Sequence, residues 1–299
     1  MRLLFKFLLL IFCFSYKGEA APRVLVTLPP IYSLVAGIMK DVETPILLLD
    51  GLISPHHYSL KPSDYRKIES ADVIVWIGPN YESFLEKAIK QSTSQRIQII
   101  TIPNLILLPL RSHNNCHSCS HLHALEPDAM DPHVWLTPLN AQKIVEFMTH
   151  KLIELDPQNA FSYKKNGALL TSKLKHLHQE LSQKLQSLKN YPFLVFHDGY
   201  QYFEKAYDLK GLGALTLDPE IPLSIQRLKS LEAQIKHQGV KCIFGETQFY
   251  PSVIKTLAQS THIKIGNLDP FGTNFVPDET LYFKMMLQLA DNFLTCLRD

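Results

Sequence analysis

The 299-residue chain carries 30 Lys and Arg against 28 Asp and Glu, a formal charge of +2. So even a balance gives no electrostatic reason to expect nucleic acid or an anionic membrane surface as a partner. The length suits two domains of ordinary size, each able to bury its own core.

The first element in chain order is a leader. Arg2 and Lys6 accompany an apolar run from Leu3 to Phe14, and small residues follow at Gly18, Ala20 and Ala21. This is the layout of a cleavable secretory signal peptide over residues 1–20, with an apolar run too short to span a bilayer permanently. Phe12 stands before Cys13 where a lipid-attachment cysteine needs a small residue, so no lipid anchor is expected. Removing the leader takes Arg2, Lys6, Lys17 and Glu19 with it and leaves the remainder electrically balanced.

Short apolar, often β-branched runs then alternate with helical patterns. The first half, residues 21–155, offers strands at Val24–Leu28, Ile46–Leu49, Val73–Ile77 and Ile97–Ile102. The second half, residues 191–299, offers Phe193–Phe196, Gly213–Leu217, Cys242–Phe244 and Ile263–Ile265. Most end in Gly, Pro, Asp or Asn, the pattern of buried parallel strands with crossover helices, occurring twice. The fold class is α/β: two lobes, each with a mainly parallel sheet flanked by helices. Between them, residues 156–190 read as one long helix. Asp156 suits the N-cap and Pro157 the first turn, and Leu170, Leu174, Leu177, Leu181, Leu185 and Leu188 form a single stripe. Such a helix is a rod of roughly 45–50 Å that resists wide hinge opening. Residues 111–131 are polar, aperiodic and histidine-rich, and read as a mobile surface loop.

The thirteen histidines divide into three groups. His113, His117, His121 and His123 lie in the loop with Cys116 and Cys119, a candidate accessory metal site. His150, His176, His178, His237 and His262 fall on helices or near their ends and read as surface residues. The rest sit in turn-rich motifs: Ser54-Pro55-His56-His57-Tyr58, Asp131-Pro132-His133-Val134-Trp135 and Phe196-His197-Asp198-Gly199-Tyr200. A fourth motif, Leu268-Asp269-Pro270-Phe271-Gly272, follows the last strand. Strand carboxyl ends face the ligand crevice in parallel α/β sheets, so three histidines and a carboxylate can meet there, a donor set that suits tetrahedral Zn²⁺. Spacing alone does not show that the four motifs converge. Secretion implies an oxidising compartment, which permits a structural disulfide; Cys242 and Cys296, both in well-patterned structure, are the expected pair.

Taken together and in this order, the segments beginning SPHHYSLKPSDYRKIESADVIVWIGPNYESFLEKAI, then DPHVWLTP, FHDGYQYFEKAYDL, FGETQFYPSVIKTLA and LDPFGTN resemble the zinc-specific solute-binding proteins of bacterial ABC importers, the ZnuA type. The resemblance covers nearly all of the chain after the leader. It implies a periplasmic monomer that binds Zn²⁺ between two lobes and delivers it to a membrane permease. Carried over by motif, the metal ligands fall on His56, His133 and His197, with Asp269 at the position that supplies a carboxylate in part of the group. Pro55 replaces a glutamate that serves as a ligand in some zinc members, leaving the fourth position to Asp269, water or His57. Manganese and iron relatives carry Glu where this chain has His197, and a third nitrogen donor favours zinc. Cys242 and Cys296 match the disulfide of the zinc members.

The enzyme alternative is a secreted zinc hydrolase with Glu246 as base near a metal-bound water. No HExxH or HxHxD-type cluster is present, so no enzymatic activity is expected, and Glu246 reads instead as a hydrogen-bonded carboxylate at the cleft.

Overall fold

A computed structural model describes residues 20–50, 58–111, 129–216, 223–246 and 252–298. The leader, His56, His57 and the loop residues His113, Cys116, His117, Cys119, His121 and His123 lie outside these.

The first lobe is a four-stranded sheet of β1 (Val24–Val26), β2 (Ile46–Leu47), β3 (Val73–Trp76) and β4 (Gln95–Gln98), in spatial order β2-β1-β3-β4 and all parallel. Its helices are α1 (Pro29–Ile38), α2 (Pro62–Ser70), α3 (Glu86–Gln91) and α4 (Pro138–Leu155). The second lobe repeats the design with β5 (Phe193–His197), β6 (Gly211–Thr216), β7 (Cys242–Glu246) and β8 (Lys264–Leu268), in order β6-β5-β7-β8. Its helices are α6 (Gln201–Tyr207), α7 (Ile225–Gln238), α8 (Ser252–Thr261) and α9 (Leu281–Arg298). Each chain path goes to one side of its first strand and then crosses to the other. The crevices therefore open at the carboxyl ends of β1 with β3 and of β5 with β7.

The segment expected as a strand at Ile97–Ile102 divides. Pairing with β3 begins earlier, at Gln95, and the chain turns into a 3₁₀ helix at Ile99–Thr101. β4 is an edge strand, so the polar Gln95 and Arg96 can sit in it, while the turn buries Ile99 without further pairing.

The linker is a 3₁₀ turn at Pro157–Asn159, α5 (Ala160–Leu185) and a second 3₁₀ turn at Gln186–Leu188. All six leucines of the stripe are buried. Asp156 holds the start differently from a usual N-cap: its Oδ2 accepts from Asn159 Nδ2 at 2.8 Å and from the Tyr163 hydroxyl at 2.7 Å. Gly167 lies within the continuous α5 where it packs close on α4; a Cβ there would strike the Thr149 side chain.

One apolar core runs through the first lobe, α5 and the inner face of the second sheet. The outer face of that sheet has a core of its own. Strand β5 shows the period-2 division: Phe193 and Val195 enter the shared core, Leu194 and Phe196 the other. Buried hydrogen bonds also tie the lobes together. Trp135 Nε1 donates to the Pro270 carbonyl at 2.9 Å, and the Tyr282 hydroxyl donates to the Trp135 carbonyl at 2.7 Å. The Tyr282 amide donates to Ser33 Oγ at 3.0 Å.

Cys242 and Cys296 form a disulfide between β7 and α9, with Cα atoms 6.0 Å apart. Closing a loop of 54 residues is worth about 4 kcal/mol in the chain-entropy model. Changing both cysteines to serine is expected to lower Tm by roughly 8–16 °C at the 2–4 °C per kcal/mol usual for domains of this size. An unchanged thermal scan would remove the bridge from the account of stability. Among the described residues no helix is long and apolar enough to cross a membrane.

Candidate metal centre

His133 and His197 come from opposite lobes and meet. His133 follows Asp131-Pro132 and opens the 3₁₀ turn Val134–Leu136 that leads into α4. His197 is the last residue of β5, at the switch point of the second sheet. Their ring centroids lie 5.0 Å apart, edge to face at 68°. Only 3% of His133 and 5% of His197 is exposed, so both rings sit out of bulk water.

Each ring is oriented by a buried carboxylate. Asp131 Oδ1 lies 2.8 Å from His133 Nδ1 and also accepts from the His133 amide at 3.0 Å. Glu246, at the end of β7, places Oε1 3.3 Å from His197 Nδ1. A carboxylate can only accept, so Nδ1 is the donor in each pair, which leaves Nε2 as the other nitrogen of each ring. Tyr81 and Trp135 pack on His133 with centroids at 5.2 and 5.3 Å. Gly199 makes the approach possible: a Cβ there would lie 3.2 Å from His133 Nε2 and 3.1 Å from His197 Cε1.

Asp269 plays a visible part in its own loop. Oδ1 accepts from the amides of Phe271 at 3.1 Å and Gly272 at 3.0 Å, and Oδ2 from the Thr273 amide at 2.7 Å and hydroxyl at 2.8 Å. This folds residues 269–273 so that the Pro270 carbonyl can receive Trp135. Its charge also bears on the buried Tyr200. Among the described residues no three or more of His, Cys, Asp and Glu gather as a metal cage. What the structure brings together is a pair of imidazoles, one from each lobe.

The family model for ZnuA, the periplasmic component A of zinc-uptake complexes, matches residues 24–296. The chain belongs to the ZnuA family. It is 33% identical to the high-affinity zinc uptake system protein ZnuA of Brucella abortus strain 2308, over 96% of this chain and 95% of that protein. To the ZnuA of Yersinia pestis it is 32% identical, over 93% and 92% of the two chains. A crystal structure of ZnuA superposes with a TM-score of 0.79 at 26% identity, covering 93% of this chain and 99% of that one. The solute-binding protein FpvC of Pseudomonas aeruginosa, solved with Mn²⁺, gives a TM-score of 0.80 over the same shares but at 22% identity, a likeness of fold alone.

Two features of this ZnuA-family chain go beyond the sequence reading. The segment expected to be a loop from residue 111 to 131 is anchored at both ends. Leu110 donates to the Ala129 carbonyl at 2.9 Å and Asp131 to that of Leu108 at 2.8 Å. The start of α6 grips this stem: Gln201 Nε2 donates to the Pro109 carbonyl and to Asp131 Oδ2, both at 3.1 Å, and the Tyr202 hydroxyl to the Asp131 carbonyl at 2.8 Å. Arg111 reaches Glu204 and, at 3.4 Å, Asp198. The other feature is His178, expected at the surface. It is half-buried, with its ring 5.5 Å from that of Tyr207, and burial lowers its pKa. The Asp131 signal was available, since an Asp two residues before a histidine across a proline can reach both its amide and its ring. Arg111 and Glu204 are 93 residues apart and left no such mark.

Proposed function

We propose that this protein captures Zn²⁺ in the periplasm and hands it to the membrane permease of an ABC importer, as a monomer without a lipid anchor. The observation that carries this reading is the His133–His197 pair. Two buried imidazoles from different lobes lie with ring centroids 5.0 Å apart, each with a carboxylate at Nδ1, and carboxylate–histidine pairs of this kind set the tautomer in zinc sites. Membership of the ZnuA family supports the periplasmic, importer-linked setting. His56 supplies the third nitrogen, and the fourth position goes to water or Asp269. The four hydrogen bonds already accepted by Asp269 favour water, since they fill a carboxylate's usual acceptor capacity. Nitrogen donors select Zn²⁺ over the harder, oxygen-preferring Mn²⁺. His113, Cys116, His117, Cys119, His121 and His123, with His57, form a weak accessory store that collects zinc near the cleft.

The testing experiment is calorimetric titration of the metal-free protein with Zn²⁺ and with Mn²⁺. One tight zinc per chain, retained after deletion of residues 113–123, supports the reading; no tight zinc, or tighter manganese, contradicts it. Zinc at a thousandfold excess over Kd adds roughly 4 kcal/mol to the folded state, so Tm rises by about 8–16 °C and a chelator reverses the rise.

Affinity also depends on pH. Burial opposes charging of the His197 ring, but Glu246, which is hydrogen-bonded to it, and the nearby Asp198 and Asp131 outweigh burial and raise its pKa. In the metal-free protein the charged His197–Glu246 pair therefore stabilises the fold fully below the ordinary histidine value of about 6.5, and this is lost as pH rises through the higher folded value. Zinc needs the neutral ring, so its affinity falls steadily as pH drops from 8 to 5. A flat affinity over that range would rule out a histidine-dominated site.

A further inference from the structure

Asp131 meets His133 through one oxygen: Oδ1 accepts from the His133 amide and faces its Nδ1. A carboxylate held at one oxygen alone can still swing, because the terminal torsion of an aspartate is broad. Its other oxygen stops the swing. Oδ2 accepts from Gln201 Nε2 at 3.1 Å, and the same nitrogen donates to the Pro109 carbonyl at 3.1 Å. Neither acceptor can donate, so the amide meets both through its nitrogen, with one proton for each. Gln201 belongs to the other lobe. It opens α6, four residues after His197. One short stretch of the second lobe therefore carries one imidazole and, through a side-chain amide, fixes the carboxylate that aims the other. The neighbouring Tyr202 holds the same residue by a different atom, its hydroxyl donating to the Asp131 carbonyl at 2.8 Å. Tyr202 secures the backbone of the stem, whereas Gln201 secures the carboxylate.

We propose that Gln201 is a positioning residue of the metal site: from the second lobe it holds Asp131 Oδ2, which keeps the Nδ1 proton of His133 fixed and leaves Nε2 for zinc. The chain of hydrogen bonds His133–Asp131–Gln201 crosses from one lobe to the other, so zinc affinity depends on this contact between them. Parting the lobes breaks the Gln201 bond, frees the carboxylate and loosens the His133 ring, the direction that delivery to a permease requires. The inference rests on the reading that His133 and His197 bind zinc. It adds a residue that tunes the affinity without touching the metal.

The test is Gln201→Met in the full chain, which keeps the length of the side chain and removes both donors. Zinc Kd is expected to weaken about 10-fold, at the lower end of the effect of removing an outer partner of a metal ligand. In the metal-free variant the NMR resonances of the His133 ring nitrogens should move from a fixed Nδ1–H form towards a mixture of tautomers. Tyr202→Phe loosens the same stem at its backbone and spares the carboxylate, so it should lower Tm and leave zinc Kd within about 2-fold of wild type. An unchanged zinc Kd in Gln201→Met overturns the inference, and so do unchanged His133 resonances. An equal loss of affinity in Tyr202→Phe also overturns it, since the effect would then belong to the stem as a whole. His133→Ala, run alongside, keeps the two readings apart. If it loses zinc while Gln201→Met behaves as wild type, the zinc site stands and the glutamine inference falls. If wild-type protein binds no zinc tightly, both fall.

Discussion

Replacing His133 or His197 with alanine is expected to weaken zinc binding by roughly a hundredfold each. Apparent zinc binding energies of structural sites run to about 10–16 kcal/mol over four ligands, so one ligand accounts for about 3 kcal/mol, or two decades of affinity. The two substitutions should not be structurally equivalent. His133 lies between Tyr81 and Trp135, so its removal opens a gap in a packed aromatic cluster. His197 ends a buried strand and borders the crevice. Asp131→Asn and Glu246→Gln keep the volumes and disturb only the orientation of the rings, and each should weaken binding about 10-fold or somewhat more. Titration calorimetry gives the affinities, and circular dichroism verifies that each variant is folded. Wild-type affinity in both histidine variants would show that the pair is structural.

The second large effect concerns stability. Arg111→Ala removes the cation that faces two buried carboxylates, Glu204 and Asp198. Breaking a buried pair by deleting one partner destabilises by about 3–5 kcal/mol. Glu204 can moderate this by taking up a proton. Burial already pushes its pKa up to about 7, against the opposing pull of Arg111, and without Arg111 it rises further. A carboxyl whose folded pKa is raised favours the fold below its unfolded value and loses that contribution as pH rises through the folded value. The deficit of Arg111→Ala should therefore be small near pH 5 and reach about 3 kcal/mol at pH 8, a Tm loss of roughly 6–12 °C. Denaturant unfolding at the two pH values measures it. A deficit independent of pH would place the effect in packing of the stem and not in charge.

Most of the architecture was legible because it repeats at fixed periods. Short apolar runs marked the positions of most strands among the described residues, and the leucine stripe from Leu170 to Leu188 marked the linking helix. The errors have physical causes. β4 begins in polar residues because only one edge of it is paired, which an apolar-run criterion cannot register. His178 looked like a helix-surface residue until the fold set Tyr207 beside it. The site was legible only in pieces. His133 and His197 each stood in a turn motif, but their meeting depends on how the two lobes pack across 63 intervening positions, and only the family resemblance pointed to it in advance. Asp131 and Glu246, which aim the rings, were present in quoted motifs without being recognised as a matched pair.

Zinc-edge X-ray absorption of protein loaded with one equivalent of Zn²⁺ tests the central claim most directly. A site built from His56, His133 and His197 with a water or Asp269 gives a shell of nitrogen and oxygen at about 2.0–2.2 Å, with the outer scattering of imidazole rings and no sulfur. In His133→Ala and His197→Ala the imidazole contribution should drop. A sulfur shell near 2.3 Å would instead move the tight site to Cys116 and Cys119, and an oxygen-only shell would contradict the histidine pair altogether.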